Sequence, residues 1–323
     1  MRRIDYLHRI FLAYIFSKNS QLTFWHEVPE VNVSASTKEL GQYYMTFAGK
    51  ANYPGPFDRQ GIPLLDYQGK VGTQYNPIAI TQYALAHYNL AKSTGSKFHY
   101  DRFLGCAEWL IHNLVRTSQG TYLWPHNFDF EYFRPLIAPW FSGLAQGQGL
   151  SVLVRAVAET TDSKYHEAME QVFQSLTLPM EKGGVLFKDN RGYAWIEEYL
   201  VDPPTHILNG FLWALWGVYD YYLLTGKAKA KELFEACTTT ILEYLPRYNV
   251  GFWSLYELTP QPLKSVASPY YHRLHIIQLT IMHQLTGQSR FAQYAKKWES
   301  FSKNILFQAM ALSYKIVFKI AYY

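Results

Sequence analysis

The chain has 323 residues, of which 49% are apolar and only 17% charged, so it can bury a sizeable core and is neither disordered nor a coiled coil. A net charge of +5 suits an anionic ligand, but no Lys/Arg-rich block points to nucleic acid. Cys106 and Cys237 lie in apolar helical sequence without metal-ligand spacing, so they are expected to be buried thiols, and a disulfide scaffold is excluded at this size.

The chain opens MRRIDYLHRIFLAYIF, whose apolar run Ile10–Phe16 is short and has no small-residue cleavage site after it. An amphipathic helix is expected there rather than a leader. Residues Leu22–Tyr75 show no helical period: TFWHEVPEVNVSAS reads as short strands and YPGPFDRQGIPLLDYQGKVG as a loop-rich hairpin region. Residues 1–73 are therefore expected to form a helix and β-rich extension packed on the loop face of a helical domain, 74–323.

From Asn76 one pattern recurs four times: an apolar helix, a Thr-Gly-like break, then an amphipathic helix. The breaks fall at Gly95, Asp162, Gly226 and Gly287, where a helix end favours a residue that tolerates positive φ. First helices are apolar nearly all round, as with Leu208, Phe211, Leu212, Leu215, Trp216 and Tyr219, so they should be buried. Second helices are one-sided: Phe173 and Leu176 alternate with Glu170, Gln171 and Gln174. The fold class expected is mainly α, an (α/α)4 toroid or barrel of four helical hairpins with a small β-rich N-terminal extension. The tail Ile305–Tyr323 is apolar with Lys315 and Lys319, and reads as a docked final helix, with an interfacial helix as the alternative.

Links within pairs are short, whereas links between pairs are long, and long loops in compact domains are usually functional. In such a toroid they would share one face, above the positive N-terminal ends of the inner helices. They hold His126, Asp129, Glu131 and Arg134, then Glu197, Glu198, Tyr199, His206 and Asn209, then Tyr256, Glu257, Tyr271, His272, Arg273 and His275, while Gln146 and Gln148 open the helix after the first. Carboxylate pairs suggest glycoside hydrolysis, the histidines a metal, and the tyrosines proton transfer. The spacing of His272 and His275 offers no evident third ligand, so no metal site is expected. The 27 Tyr, 20 Phe and 9 Trp suit stacking on sugar rings, with ordinary packing as the alternative.

The segments WFSGLAQGQGLSVLVRA, WIEEY, HILNGFLWALWGVYD, GFWSLYEL and YYHRLHIIQL, in that order, resemble the C-terminal domain of D-glucuronyl C5-epimerases, over roughly Gln74–Ser300. The resemblance implies an (α/α)4 toroid and conversion of glucuronate to iduronate in heparosan or heparan sulfate precursors. It implies catalytic roles for Tyr199, Tyr256 and Tyr271, with Glu198 preceding the first. Where the family's YDL motif is followed by Arg, this chain has Thr259, which leaves Arg273, Arg134 or His272 as partners for the substrate carboxylate. Asn209, Gln146, Gln148 and His126 are further candidate substrate contacts. No cofactor is expected, and the partner expected is an anionic, heparosan-like polysaccharide. A uronan lyase and a non-catalytic uronan-binding protein are the alternatives. The family's dimers suggest a homodimer, and the expected location is the cytoplasm, peripheral to a membrane.

Overall fold

The computed structural model describes residues 24–67, 69–132 and 134–322; the helix expected around Ile10–Phe16 lies outside them. The chain divides into two compact units, Glu30–Glu243 and residues 24–29 with 244–322, described separately below.

The first unit contains three helical hairpins. They are α2 (Pro77–Thr94) with α3 (Lys97–His112), α4 (Gly143–Thr160) with α5 (Ser163–Thr177), and α6 (Leu208–Thr225) with α7 (Ala228–Tyr244). A single-turn helix, α1 (Ala48–Ala51), precedes them. Helices α2, α4 and α6 are buried on nearly every face, and α4 packs against both of the others. Helices α3 and α5 bury one stripe each, as their amphipathic sequences require. Asn76 and Ser142 cap α2 and α4 by accepting N–H groups of their first turns.

Gly95 and Gly226 take left-handed conformations at the ends of α2 and α6, as expected. The second break differs by one residue. Thr161 carries the positive φ, and Asp162 instead caps α5, its carboxylate accepting the N–H of Lys164. A side chain that can accept from a helix N-terminus is worth more at the N-cap than in the strained position before it.

Glycines also set how closely helices approach. A Cβ on Gly147 would run into the Ala214 backbone, and one on Gly217 into the carbonyl of Gly147, so α4 and α6 touch main chain to main chain. Gly149 likewise leaves room for the fully buried Trp124, whose indole N–H donates to the Leu110 carbonyl at 2.7 Å.

The lower ends of α4 and α6 hold a buried ion pair. Arg155 Nη1 lies 2.6 Å from Asp220 Oδ2, and neither side chain is more than 1% exposed. The Arg155 Nε–H donates to the Gly41 carbonyl, Nη1 also to the Ser151 carbonyl, and the Tyr44 hydroxyl donates to Asp220. The guanidinium lies over the rings of Tyr43 and Tyr88. Burial opposes the charged guanidinium, but Asp220 outweighs it and holds the Arg155 pKa above its ordinary value.

This arrangement corrects the placement of the extension. Residues 41–47 lie at the C-terminal ends of the inner helices, not on the loop face: Asn89 accepts the Tyr43 N–H and donates to the Met45 carbonyl, and Tyr219 donates to the Thr37 carbonyl. The extension supplies the carbonyl and hydroxyl that a buried Arg–Asp pair needs. Its β content is small: β1 (Leu65–Asp66) pairs antiparallel with β2 (Thr73–Gln74), with isolated bridges Val31–Met45 and Phe57–Pro63. That later part does reach the loop end, where Tyr67 meets Phe128.

The second unit holds the fourth hairpin, α8 (Pro269–Thr286) with α9 (Ser289–Lys303), and a last helix, α10 (Ile305–Tyr322). Gly287 ends α8 in the left-handed conformation, and Ser268 caps its start by accepting the Tyr271 N–H. Burial all round fails for α8, because Arg273 and Gln284 interrupt its apolar surface and are exposed. Helix α10 docks on the loop before α8: Tyr322 and Tyr314 accept the N–H groups of Leu263 and Lys264, and Lys315 donates to the Val266 carbonyl. Leu306, Met310, Val317 and Ile320 line its exposed face. Among the described residues it is the one helix long and apolar enough to cross a membrane, with a mean hydropathy of 1.3.

Both cysteines are free and buried, and burial pushes both thiols up, Cys106 to about 12, so neither is a reactive thiolate near neutral pH.

Asp220→Asn leaves a buried guanidinium without its counter-charge and should cost about 3–5 kcal/mol. Urea denaturation of the full chain should show this, with a smaller loss for Arg155→Met combined with Asp220→Leu. A single variant as stable as the parent would remove the pair from its central place.

Candidate active site

In the first unit, two loops converge on the start of α4. They run from 113 to 142, with strands β3 (Val115–Arg116) and β4 (Tyr122–Leu123), and from 178 to 207, with strands β5 (Leu186–Lys188) and β6 (Ala194–Ile196). The Gly143 N–H donates to the Glu197 carbonyl at 3.0 Å, in a contact that a Cβ on Gly143 would block. Gln146 accepts the Trp124 N–H and donates to the Tyr122 carbonyl and the Ser175 hydroxyl. Gln146 is thus an anchor for the first loop, with its amide fully engaged by protein. Gln148, fully buried, accepts from Gln82 of α2.

The adjacent carboxylates of the EEY motif diverge. Glu197 is 1% exposed; it accepts the His206 N–H and pairs with His206 Nδ1 at 2.5 Å. His206, at φ 50°, stacks on Trp195 with ring centres 4.0 Å apart, so Glu197 pins the turn leading into α6. Glu198 runs the other way, and its Oε2 lies where a Cβ of Gly210 would stand. Gly210 sits in the first turn of α6, so the carboxylate reaches the positive end of that helix. A glycine inside an apolar helical pattern is the sequence signal for such an approach. Asn209 precedes it and is 2% exposed.

Tyr199 is 8% exposed and ringed by aromatics, with Tyr132 at 4.8 Å, Trp140 at 5.7 Å and Phe130 at 6.2 Å between ring centres. His126 stacks on the other side of this cluster, 3.7 Å from Trp140 and nearly parallel to it. Neither of its ring nitrogens has a hydrogen-bond partner among the described residues, and burial pushes its pKa down to about 3. Arg134 is exposed in the same loop.

In the second unit, Tyr256 and Tyr271 meet edge to face, ring centres 4.9 Å apart, and Tyr270 lies 5.1 Å from Tyr271. The Ser268 cap and Pro269 place Tyr271 in the first turn of α8. His272 points inward. It is fully buried, stacks on Trp253 at 3.8 Å, and its Nε2–H donates to the Trp298 carbonyl. That leaves Nδ1 as an acceptor for the Ser254 N–H, and Ser254 Oγ bridges His272 Nδ1 and His275 Nδ1. His272 therefore braces the loop that carries Tyr256, with no nitrogen left for a ligand, while Arg273 beside it is exposed. The sequence does not announce Ser254, because a serine two residues before a motif tyrosine carries no signal of its own. Among the described residues, no group of three or more His, Cys, Asp or Glu side chains could hold a metal.

The sequence model of the D-glucuronyl C5-epimerase C-terminus matches residues 118–300, more than half of the chain. The chain belongs to the D-glucuronyl C5-epimerase C-terminal family. The match takes in all three motif tyrosines and Glu198, and leaves α2, α3 and α10 outside it. Among curated relatives, a D-glucuronyl C5-epimerase of Caenorhabditis elegans is 29% identical over 220 residues, covering 63% of this chain and 35% of the nematode protein. An uncharacterized protein of Methanocaldococcus jannaschii is 31% identical over 179 residues, covering 54% of this chain and 56% of its own. The chain thus spans about half or less of the length of these relatives. Among solved structures, the unsaturated glucuronyl hydrolase of Bacillus sp. GL1 aligns at 14% identity with a TM-score of 0.47, over 69% of this chain and 61% of that one.

The histidines give this C5-epimerase family member an acid limit. Burial holds His272 near pKa 4 and His126 near 3, while burial and the neighbouring His272 push His275 well below its ordinary value. Unfolded, each would bind a proton near pH 6.5. Their contribution is complete above that pH and is lost as pH falls towards the folded values. Melting temperature should decline progressively from pH 6.5 to 4, with a shallower decline in His272→Asn. Equal slopes in the two proteins would show that His272 does not set the acid limb.

Proposed function

We propose that the protein epimerises D-glucuronate to L-iduronate at C5 within a heparosan-like polysaccharide. The observation that carries this reading is the family match over 118–300, a segment that contains the three motif tyrosines in order.

The C5 hydrogen lies α to a carboxylate and is a very weak acid. Removing it generates an enolate-like dianion, so the site needs a cation for the carboxylate, a base on one ring face and an acid on the other. In this reading Tyr199 and Tyr271 are the two acid–base groups. One tyrosinate accepts the C5 proton, and the opposite tyrosine returns a proton to C5 from the other side, with roles exchanged in reverse. A free tyrosine has a pKa of about 10, so the base depends on nearby donors or positive charge. Tyr256, in ring contact with Tyr271, assists transfer or positions the sugar. Glu198, held at the start of α6, orients Tyr199 or binds a hydroxyl, as does Asn209. Because His272 is enclosed by Ser254 and Trp298, Arg273 and Arg134 are the cations proposed for the carboxylate. Exposed guanidiniums suit that task, since they can pair bidentately with a carboxylate.

Proton NMR of heparosan incubated with the protein in D₂O should show deuterium at C5, new iduronate signals and intact chains. Tyr199→Phe and Tyr271→Phe should each lower epimerisation at least a hundredfold, the scale of lost acid–base catalysis. Deuterium without iduronate would restrict the protein to one-sided exchange, C4–C5 unsaturation would make it a lyase, and full activity in both variants would remove the tyrosines from the chemistry.

A further inference from the structure

A shallow cleft opens at the loop end of the first hairpin, lined by Gln74, Tyr75, Trp109, Asn113, Pro125 and Asn127. Its cavity volume is only about 60 Å³, so it offers a surface for a ring to lie against and does not enclose one. Four of the six residues precede the segment that matches the family, so the cleft is built largely from sequence that the match does not cover.

Its chemistry is selective. Tyr75 and Trp109 present rings 5.4 Å apart at an angle of 34°, forming an aromatic wall. Tyr75 is 39% exposed, yet its ring is fixed from behind: its hydroxyl donates to Asp58 Oδ2 at 2.7 Å, and Asp58 Oδ1 accepts the N–H groups of Gln60 and Ile62. An exposed tyrosine anchored by a turn is a prepared surface, because its ordering entropy is spent before a ligand arrives. The amides are oriented as well. Asn113 donates to the Trp109 carbonyl at 2.8 Å and Gln74 to the Val71 carbonyl at 2.7 Å. Each has its NH₂ turned to backbone, leaving its carbonyl oxygen to accept from a ligand.

No charged side chain lines the cleft. A carboxylate or phosphate would find no cation there, and burying it would be costly. A ligand with an apolar face to lie on aromatic rings and hydroxyl donors around its edge would satisfy every surface. We propose that this cleft is a binding subsite for a neutral pyranose residue of a saccharide chain. It takes a ring without a carboxylate, in contrast to the uronate expected at the tyrosines. Only the identity of the polymer rests on the proposed function; the saccharide contact stands on the cleft itself.

Saturation-transfer NMR on the full chain tests this, with chitotriose as a neutral probe and a heparosan octasaccharide as the alternating one. Saturation should reach the ring C–H protons of chitotriose and the hexosamine protons of heparosan. Tyr75→Ala should weaken chitotriose about fivefold to tenfold, the scale of a lost aromatic contact. Asn113→Leu, which keeps the bulk but removes the accepting oxygen, should weaken it with the fold unchanged by circular dichroism. Wild-type affinity in both variants, or no saturation of either saccharide, would overturn the subsite. Preference for a nucleoside over chitotriose would also overturn it. Saccharide binding that depends on Tyr75, in a protein that exchanges no C5 hydrogen, would uphold the subsite while removing the epimerase reading. Epimerisation with a KM for heparosan unaltered by Tyr75→Ala, and no transfer to neutral rings, would do the reverse.

Discussion

A guanidinium buried to within 1% of complete enclosure is strongly destabilising without its counter-charge, and much of the first unit is arranged around that constraint. Arg155 comes from α4 and Asp220 from α6, so the pair joins two inner helices. Further hydrogen bonds come from the Ser151 carbonyl within α4, and from the Gly41 carbonyl and the Tyr44 hydroxyl, which draw the extension under the helix ends. Asn89 then fastens the same strip to α2. One charge pair thereby fixes three helices and a segment with almost no regular structure of its own.

The hairpins were legible in the sequence because their signals are local. Apolar residues on every face announce a buried helix, a single stripe announces an outer one, and glycine announces the end. The break at Asp162 shows the limit of such reading: cap and left-handed residue are neighbours, and only the backbone tells which is which. Arg155 and Asp220 gave no signal, since each alone resembles a solvated charge on a helix, and their partnership spans 65 residues. The position of residues 41–47 follows from that partnership and was unreadable for the same reason.

The candidate site was legible in a different way. Its tyrosines stand in ordered motifs, not in a telling spacing or composition, and the fold adds what surrounds them. Two residues chosen as ligand contacts, Gln146 and His272, are engaged by protein on every polar atom, so polarity beside a motif marked a support for the loop. Gly210 works in the opposite sense. It has no side chain to offer, yet its missing Cβ is what lets Glu198 reach the start of α6.

The glycine contact between α4 and α6 bears on how the first unit can move. Where side chains interdigitate, helices can shift by changing rotamers; where Gly147 meets Ala214 and Gly217 main chain to main chain, there are no rotamers to change. Sliding one helix past the other would bring a carbonyl onto a Cα, which is a wall and not a spring. The floor beneath Glu198 and Tyr199 is therefore stiff. Any adjustment to a ligand falls to the loops of 113–142 and 178–207, which are held by side-chain hydrogen bonds such as those of Gln146 and Glu197 and not by backbone packed against backbone.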